Sequence, residues 1–158
     1  MALNPHRWIF NVQVLHKPGT LASAAAVFSN RGVSLEGILG NSAVDASSGE
    51  DGRLILGFQA TPEKMALLRR TLERLPSVFR VEAYRFEDER LRAIAVIKLL
   101  PQAKLTRDDE DYSLKTLAQT ESDRMVMLTG RPPAVEEAIA EFRKQKQLKE
   151  VLMSYVAV

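Results

Sequence analysis

The stretch His16-Lys17-Pro18-Gly19-Thr20-Leu21 is the part of this sequence whose residue types and spacing carry a chemical mechanism. A Pro-Gly turn running straight into an Ala-rich, helix-forming segment leaves the first N–H groups of that helix without intrahelical acceptors. Converging N–H groups attract a carboxylate or another anion. His16 and His6 are the two histidines, and neither belongs to a Ser-x-Gly elbow or a His-x-x-x-His pair. His16 therefore reads as a solvated loop residue, with a ligand contact as the alternative. Asp108-Asp109-Glu110-Asp111 offers hard oxygen ligands, but the glycine and glutamate of a calcium loop are missing, so it reads as a solvated acidic loop. Glu36 has no partner carboxylate and fits a surface or interface role. Gly32, Gly37 and Gly40 lie in or before a strand rather than opening a helix after one, which excludes a dinucleotide fingerprint. Arg69, Arg70 and Arg74 form a basic strip that reads as a solvated helix face. The residues supply no catalytic constellation and no metal or cofactor site, so the chain is expected not to be an enzyme.

Composition narrows the class further. With 158 residues, 46% of them hydrophobic, the chain can build one medium core or two very small ones. It contains no cysteine, which excludes disulfides, thiolate zinc sites and a thiol nucleophile and fits a reducing cytoplasm. The 22 basic and 20 acidic residues are interspersed, aromatic residues are sparse, and no Lys/Arg stripe is visible, so no nucleic-acid partner is expected. No apolar run approaches the ~20 residues that span a bilayer, and the Asn4-Pro5-His6 start lacks the pattern of an export signal. A cytoplasmic protein without membrane insertion is the expectation.

The elements that must position the turn follow from periodicity. Phe10, Val12 and Val14 alternate with Asn11 and Gln13 as a half-buried strand before the turn. After it, Leu21, Ala24, Ala25 and Phe28 recur at helical spacing, and Gly32 is placed to cap the helix. Val33, Leu35, Gly37 and Leu39 predict a second strand, Asp45 to Gly52 a hairpin loop, and Leu54, Leu56 and Phe58 the inner face of a third. Thr61-Pro62-Glu63 starts a second helix with Met65, Leu68, Leu72 and Leu75 inward, and Phe79, Val81 and Ala83 predict a fourth strand. The first half thus reads βαββαβ, a ferredoxin-like α+β sandwich. Glu87-Asp88-Glu89-Arg90 is a charged junction, after which the order restarts. Ala93 to Leu99, Tyr112 to Gln119 and Met125 to Thr129 predict strands, Pro133 to Lys146 a helix with Val135, Ile139 and Phe142 inward, and Val151, Met153 and Tyr155 a last strand. Only Gln102 to Leu105 could supply the first helix of this second copy, which is therefore expected to be degenerate, with that helix short or lost. Domains at 1–87 and 88–158 are expected, each small enough that packing together or dimerisation through an exposed sheet edge would stabilise it.

His16 to Leu21 followed by Val27-Phe28-Ser29-Asn30-Arg31-Gly32-Val33-Ser34-Leu35 resembles the ACT domain. Within that superfamily the whole chain resembles the small regulatory subunits of acetolactate synthase, through Glu89 to Lys98, Met127-Leu128-Thr129-Gly130 and its length. The resemblance implies tandem ACT modules in a homodimer. Such a dimer binds a branched-chain amino acid (valine, leucine or isoleucine) between paired modules and modulates a thiamine-diphosphate-dependent catalytic subunit. By the same resemblance, His16, Pro18, Gly19, Thr20 and Leu21 meet the effector, together with Ser34 and Leu35 of the neighbouring chain. The family usually carries Asn at His16 and Asn-Ile at Ser34-Leu35. The competing reading is a stand-alone ACT sensor or adaptor with another ligand and partner.

Overall fold

Alternation of apolar residues in Trp8 to Val14 makes a strand whose partners cover both of its sides. The computed structural model describes residues 4–42, 51–105 and 110–157. The chain divides into two compact units, Met1–Phe86 and Glu87–Val158. In the first, β1 (His6–Leu15), α1 (Thr20–Ser29), β2 (Leu35–Ser42), β3 (Asp51–Ala60), α2 (Pro62–Glu73) and β4 (Val78–Arg85) follow in order. The sheet is antiparallel with strand order β2-β3-β1-β4. This is the ferredoxin-like arrangement, and both helices contribute to one core with Phe10, Val12, Leu56 and Phe58 of the sheet.

Local chemistry explains the boundaries. The Thr61 hydroxyl accepts the Lys64 N–H at 3.3 Å, and Pro62 occupies the first turn, where its missing N–H costs nothing. Beyond α1, Gly32 adopts a left-handed φ of 66°, which lets the Val33 N–H return to Phe28 O at 3.0 Å and close the helix. Leu68 and Leu72 are fully buried, while Met65 and Leu75 pack at the margin of the same core.

Three inward assignments shift by a residue. Because α1 begins at Thr20, its buried stripe is Thr20, Ala24, Val27 and Phe28, and Leu21 is 46% exposed instead of inward. In β2 the pairing slips between Leu35 and Gly37, so Leu35 and Ile38 share a face and Gly37 and Leu39 point the other way. In β4 Gln13 pairs with Arg80 but Val14 with Val78, which leaves Phe79 in a bulge, largely exposed, while Val78 takes the buried place. Asp51 and Gly52 of the expected hairpin loop already belong to β3, and residues 45–50 lie outside the described residues.

The second unit comprises β5 (Leu91–Leu99), β6 (Tyr112–Gln119), β7 (Arg124–Gly130), α3 (Pro132–Lys144) and β8 (Leu148–Ala157). Its antiparallel order, β6-β7-β5-β8, repeats that of the first. Where the first unit has α1, residues 101–105 form only a turn, with the Ala103 N–H on Leu100 O at 3.0 Å and Ala103 buried. The second module is thus degenerate, as its sequence predicts, with one helix among the described residues layered on the sheet through Val135, Ile139 and Phe142. That helix ends at Lys144, two residues before the expected Lys146, because Lys146 turns left-handed (φ 58°) and the Gln147 N–H returns to Phe142 O. Leu117 is exposed at a bulge between Thr116 and Ala118. Of the acid run, 108–109 lie outside the described residues, and Asp111 approaches Arg131 at 3.9 Å. At the junction, Arg90 donates to the Asp88 carboxylate from its backbone and its guanidinium, which holds that carboxyl below its ordinary range.

Candidate functional site

The turn between β1 and α1 is pinned from three sides. The Leu15 N–H donates to Ser77 O at 2.7 Å, the Lys17 N–H to Leu15 O at 3.0 Å, and the buried Thr20 hydroxyl to the same Leu15 carbonyl at 2.9 Å. Gly19 occupies the N-cap position with φ 85°, a conformation that suits glycine, and contributes no side-chain cap. The first N–H to close a full helical turn is that of Ser23, onto Gly19 O at 2.9 Å. The N–H groups of Leu21 and Ala22 therefore remain outside the helical ladder, and no acidic side chain in the first turn compensates the positive end of the helix dipole.

Beside this helix start lies a cavity of about 650 Å³. His16, Lys17, Gly19, Thr20, Leu21 and Ala22 form one side of it. Ile38 and Gly40 of β2 and Gly52 and Leu54 of β3 form another. Small residues make the room: a Cβ at Gly52 would stand 3.3 Å from Asn41 O and 3.4 Å from the Cβ of His16. The β2 slip matters here, since it turns Ile38 and Gly40, rather than Gly37 and Leu39, to the α1 side.

Four of the expected site residues, His16, Gly19, Thr20 and Leu21, line this cavity, and Pro18 belongs to the same turn without lining it. Ser34 and Leu35 line a second cavity of about 530 Å³, with Phe28, Ser29, Gly32 and Val33. Both cavities touch Ala25, yet a single chain does not join the two groups of residues. The β2 and β3 contributors escape sequence reading because they arrive by sheet register, Gly52 opposite Val14 and Gly40 opposite Leu54. Their small size at alternate strand positions was the available signal. Among the described residues, no cluster of three or more His, Asp or Glu could hold a metal ion. No helix among them is long and apolar enough to cross a membrane.

The fold is that of tandem ferredoxin-like modules, the second with one helix among the described residues. The same fold is found in the acetolactate synthase small subunit from Thermotoga maritima, which is 22% identical, with a TM-score of 0.69 over 96% of each chain. An unknown protein from Galdieria sulphuraria aligns over 98% of this chain and 99% of its own, at 12% identity and a TM-score of 0.43. No family model matches the sequence, and no curated protein matches it.

Proposed function

We propose that this chain is a non-catalytic regulatory subunit of the acetolactate synthase type. It binds a branched-chain amino-acid effector in the β1–α1 cavity and modulates a thiamine-diphosphate-dependent catalytic subunit. The observation that carries this reading is the cavity itself, lined by the motif residues His16, Lys17, Gly19, Thr20 and Leu21 at an uncompensated helix start in a fold shared end to end with such a small subunit. The effector's carboxylate is placed at the Leu21 and Ala22 N–H groups, and its branched side chain against Leu21, Ile38 and Leu54.

A second copy of the chain completes the site. β2 is an edge strand with one side unpaired, and Ile38 and Leu39 on it are 51% and 43% exposed, the features of a strand that another chain covers. In that pairing Ser34 and Leu35 of the neighbour approach the effector. An effector held between two copies shifts the dimer between arrangements only as far as it binds one better than the other.

Thermal denaturation with valine, leucine and isoleucine tests the site. Saturation at about 100 times Kd adds about 2.7 kcal/mol, a rise of several degrees in Tm for modules of this size. Gly19→Pro, which forbids the positive φ at the turn, abolishes the rise while the unliganded protein still melts cooperatively. The absence of any shift with all three amino acids contradicts the reading.

A further inference from the structure

Alternation in β5 gives the sheet of the second unit two unlike faces. Ala93, Ala95 and Ile97 are fully buried on the α3 side, together with Val126 and Leu128 of β7. Ile94 and Val96 point the other way, with Ser154 and Leu152 of β8 on one side of them and Thr129 and Met127 of β7 on the other. This second face is apolar and open: Leu152 is 78% exposed and Ile94 40%, with Val156 and Met125 close behind. A single exposed leucine is ordinary, but several apolar side chains together on one sheet face mark a surface that another molecule covers. The apolar surface lies on β5, β7 and β8, whereas β6 brings Ser113 and Lys115 to the same face.

The charges on this face are arranged for a copy of itself. At one end Lys98 meets Glu150 directly across the strands, Nζ to Oε1 at 3.2 Å, and the Glu150 side chain stays 72% exposed. At the other end Arg92 spends its guanidinium on the carbonyl oxygens of Glu89 and Leu91, at 2.6 and 2.8 Å. A two-fold axis running along the strands, midway between β5 and β8, lays each residue of β5 over its own cross-strand partner in the second copy. Lys98 then stands over Glu150 of the second copy and Glu150 over its Lys98, while Val96 and Leu152 cover each other in the same way. Apolar surface meets apolar surface, and the two ion pairs close into an alternating square of charge. Aligned sheets stack face to face in this manner, about 10 Å apart.

We infer that the second unit stacks on its counterpart in a second copy of the chain through this face, β5 and β8 of one copy over β8 and β5 of the other. The contact belongs to the second unit and depends neither on the effector cavity nor on the β2 edge. Two strands from each copy cover less than the roughly 800 Å² per partner of a standard stable interface. The association is therefore reversible and grows with protein concentration.

Sedimentation equilibrium of the full chain across a micromolar concentration series tests this. The unmodified chain is expected to self-associate. Leu152→Lys is expected to weaken an association step by about ten-fold or more, because it buries an unpaired charge against the second copy. Its Tm should stay unchanged, since Leu152 is exposed in the single chain. Lys98→Glu sets like charges face to face and is expected to weaken the same step, and adding Glu150→Lys to it is expected to restore the association. A chain that stays monomeric throughout overturns the inference, as do association constants that Leu152→Lys leaves unchanged. A single reversal without effect, or a double variant that does not recover, also overturns it, because the face then meets something other than its own copy.

Discussion

Gly130→Ala is expected to unfold the second unit. A Cβ at this position would lie 2.2 Å from Asp111 O, 2.6 Å from Tyr112 Cα and 2.7 Å from Tyr112 Cβ, far inside contact distance. The obstructing atoms include backbone, and they cannot withdraw cheaply. Asp111 O accepts the Arg131 N–H at 2.8 Å, and Gly130 pairs with both Tyr112 of β6 and Ala93 of β5. Moving the strands apart would break the ladder on both sides of β7. Overpacking costs about 1–3 kcal/mol, and a backbone conformation ill suited to a side chain adds about 1–3 kcal/mol. Together these approach the whole stability of a module this small, roughly 0.05–0.15 kcal/mol per residue. Far-UV circular dichroism should lose the contribution of the second unit. The emission of Trp8, the single tryptophan, sits in the first unit and should stay native. Gly37→Ala is the comparison, because nothing lies within 4 Å of its Cβ, and it should change stability by less than about 1 kcal/mol.

Phe58→Ala is expected to have a comparable effect on the first unit. Phe58 is 1% exposed and meets Phe10 and Phe28 edge to face, with ring centroids 4.7 and 5.0 Å apart. These three rings join β1, β3 and α1, so truncating one leaves a cavity where sheet and helix meet. Such deletions cost about 3–5 kcal/mol, part of it from lost aromatic pairs worth about 0.5–1.5 kcal/mol each. Phe58 pairs directly with Trp8, whose indole N–H donates to Ala60 O at 2.9 Å, so Trp8 fluorescence reports this loss. The urea midpoint read at Trp8 should fall steeply, and Phe58→Leu should recover most of it. An unchanged midpoint would mean that the three rings do not hold α1 to the sheet.

The fold was legible because alternation and helical spacing are strong in this chain. Leu91, Ala93, Ala95, Ile97 and Leu99 are all buried on one face of β5, and Val135, Ile139 and Phe142 on one face of α3. The turn at residues 101–105, where the first unit has α1, also showed in the sequence, since Pro101 is followed by too few helix-compatible residues before the acid run. The strand misreadings share a cause. Phe79 sits at a bulge, and the slip after Leu35 reverses the face of Gly37 and Leu39. A bulge adds one residue to one strand, and strict alternation cannot foresee it. Leu21 was misplaced because the helix starts at Thr20, whose small hydroxyl side chain turns inward to bond Leu15 O.

The candidate site was legible only on its local side. Gly19 and the helix start announce themselves, because a turn and a helix are adjacent in sequence. Ile38, Gly40, Gly52 and Leu54 reach the same cavity across two hairpin pairings, and their presence depends on register.

The central claim, a regulatory subunit acting on a thiamine-diphosphate-dependent enzyme, is tested most directly by reconstitution. The chain is mixed with the acetolactate synthase catalytic subunit of its own source cell, and co-elution and turnover are measured with and without effector. The expected result is a stable complex whose turnover differs several-fold from that of the catalytic subunit alone and responds to effector in the unmodified chain but not in Gly19→Pro. Separate elution with turnover unaffected by the chain would contradict it.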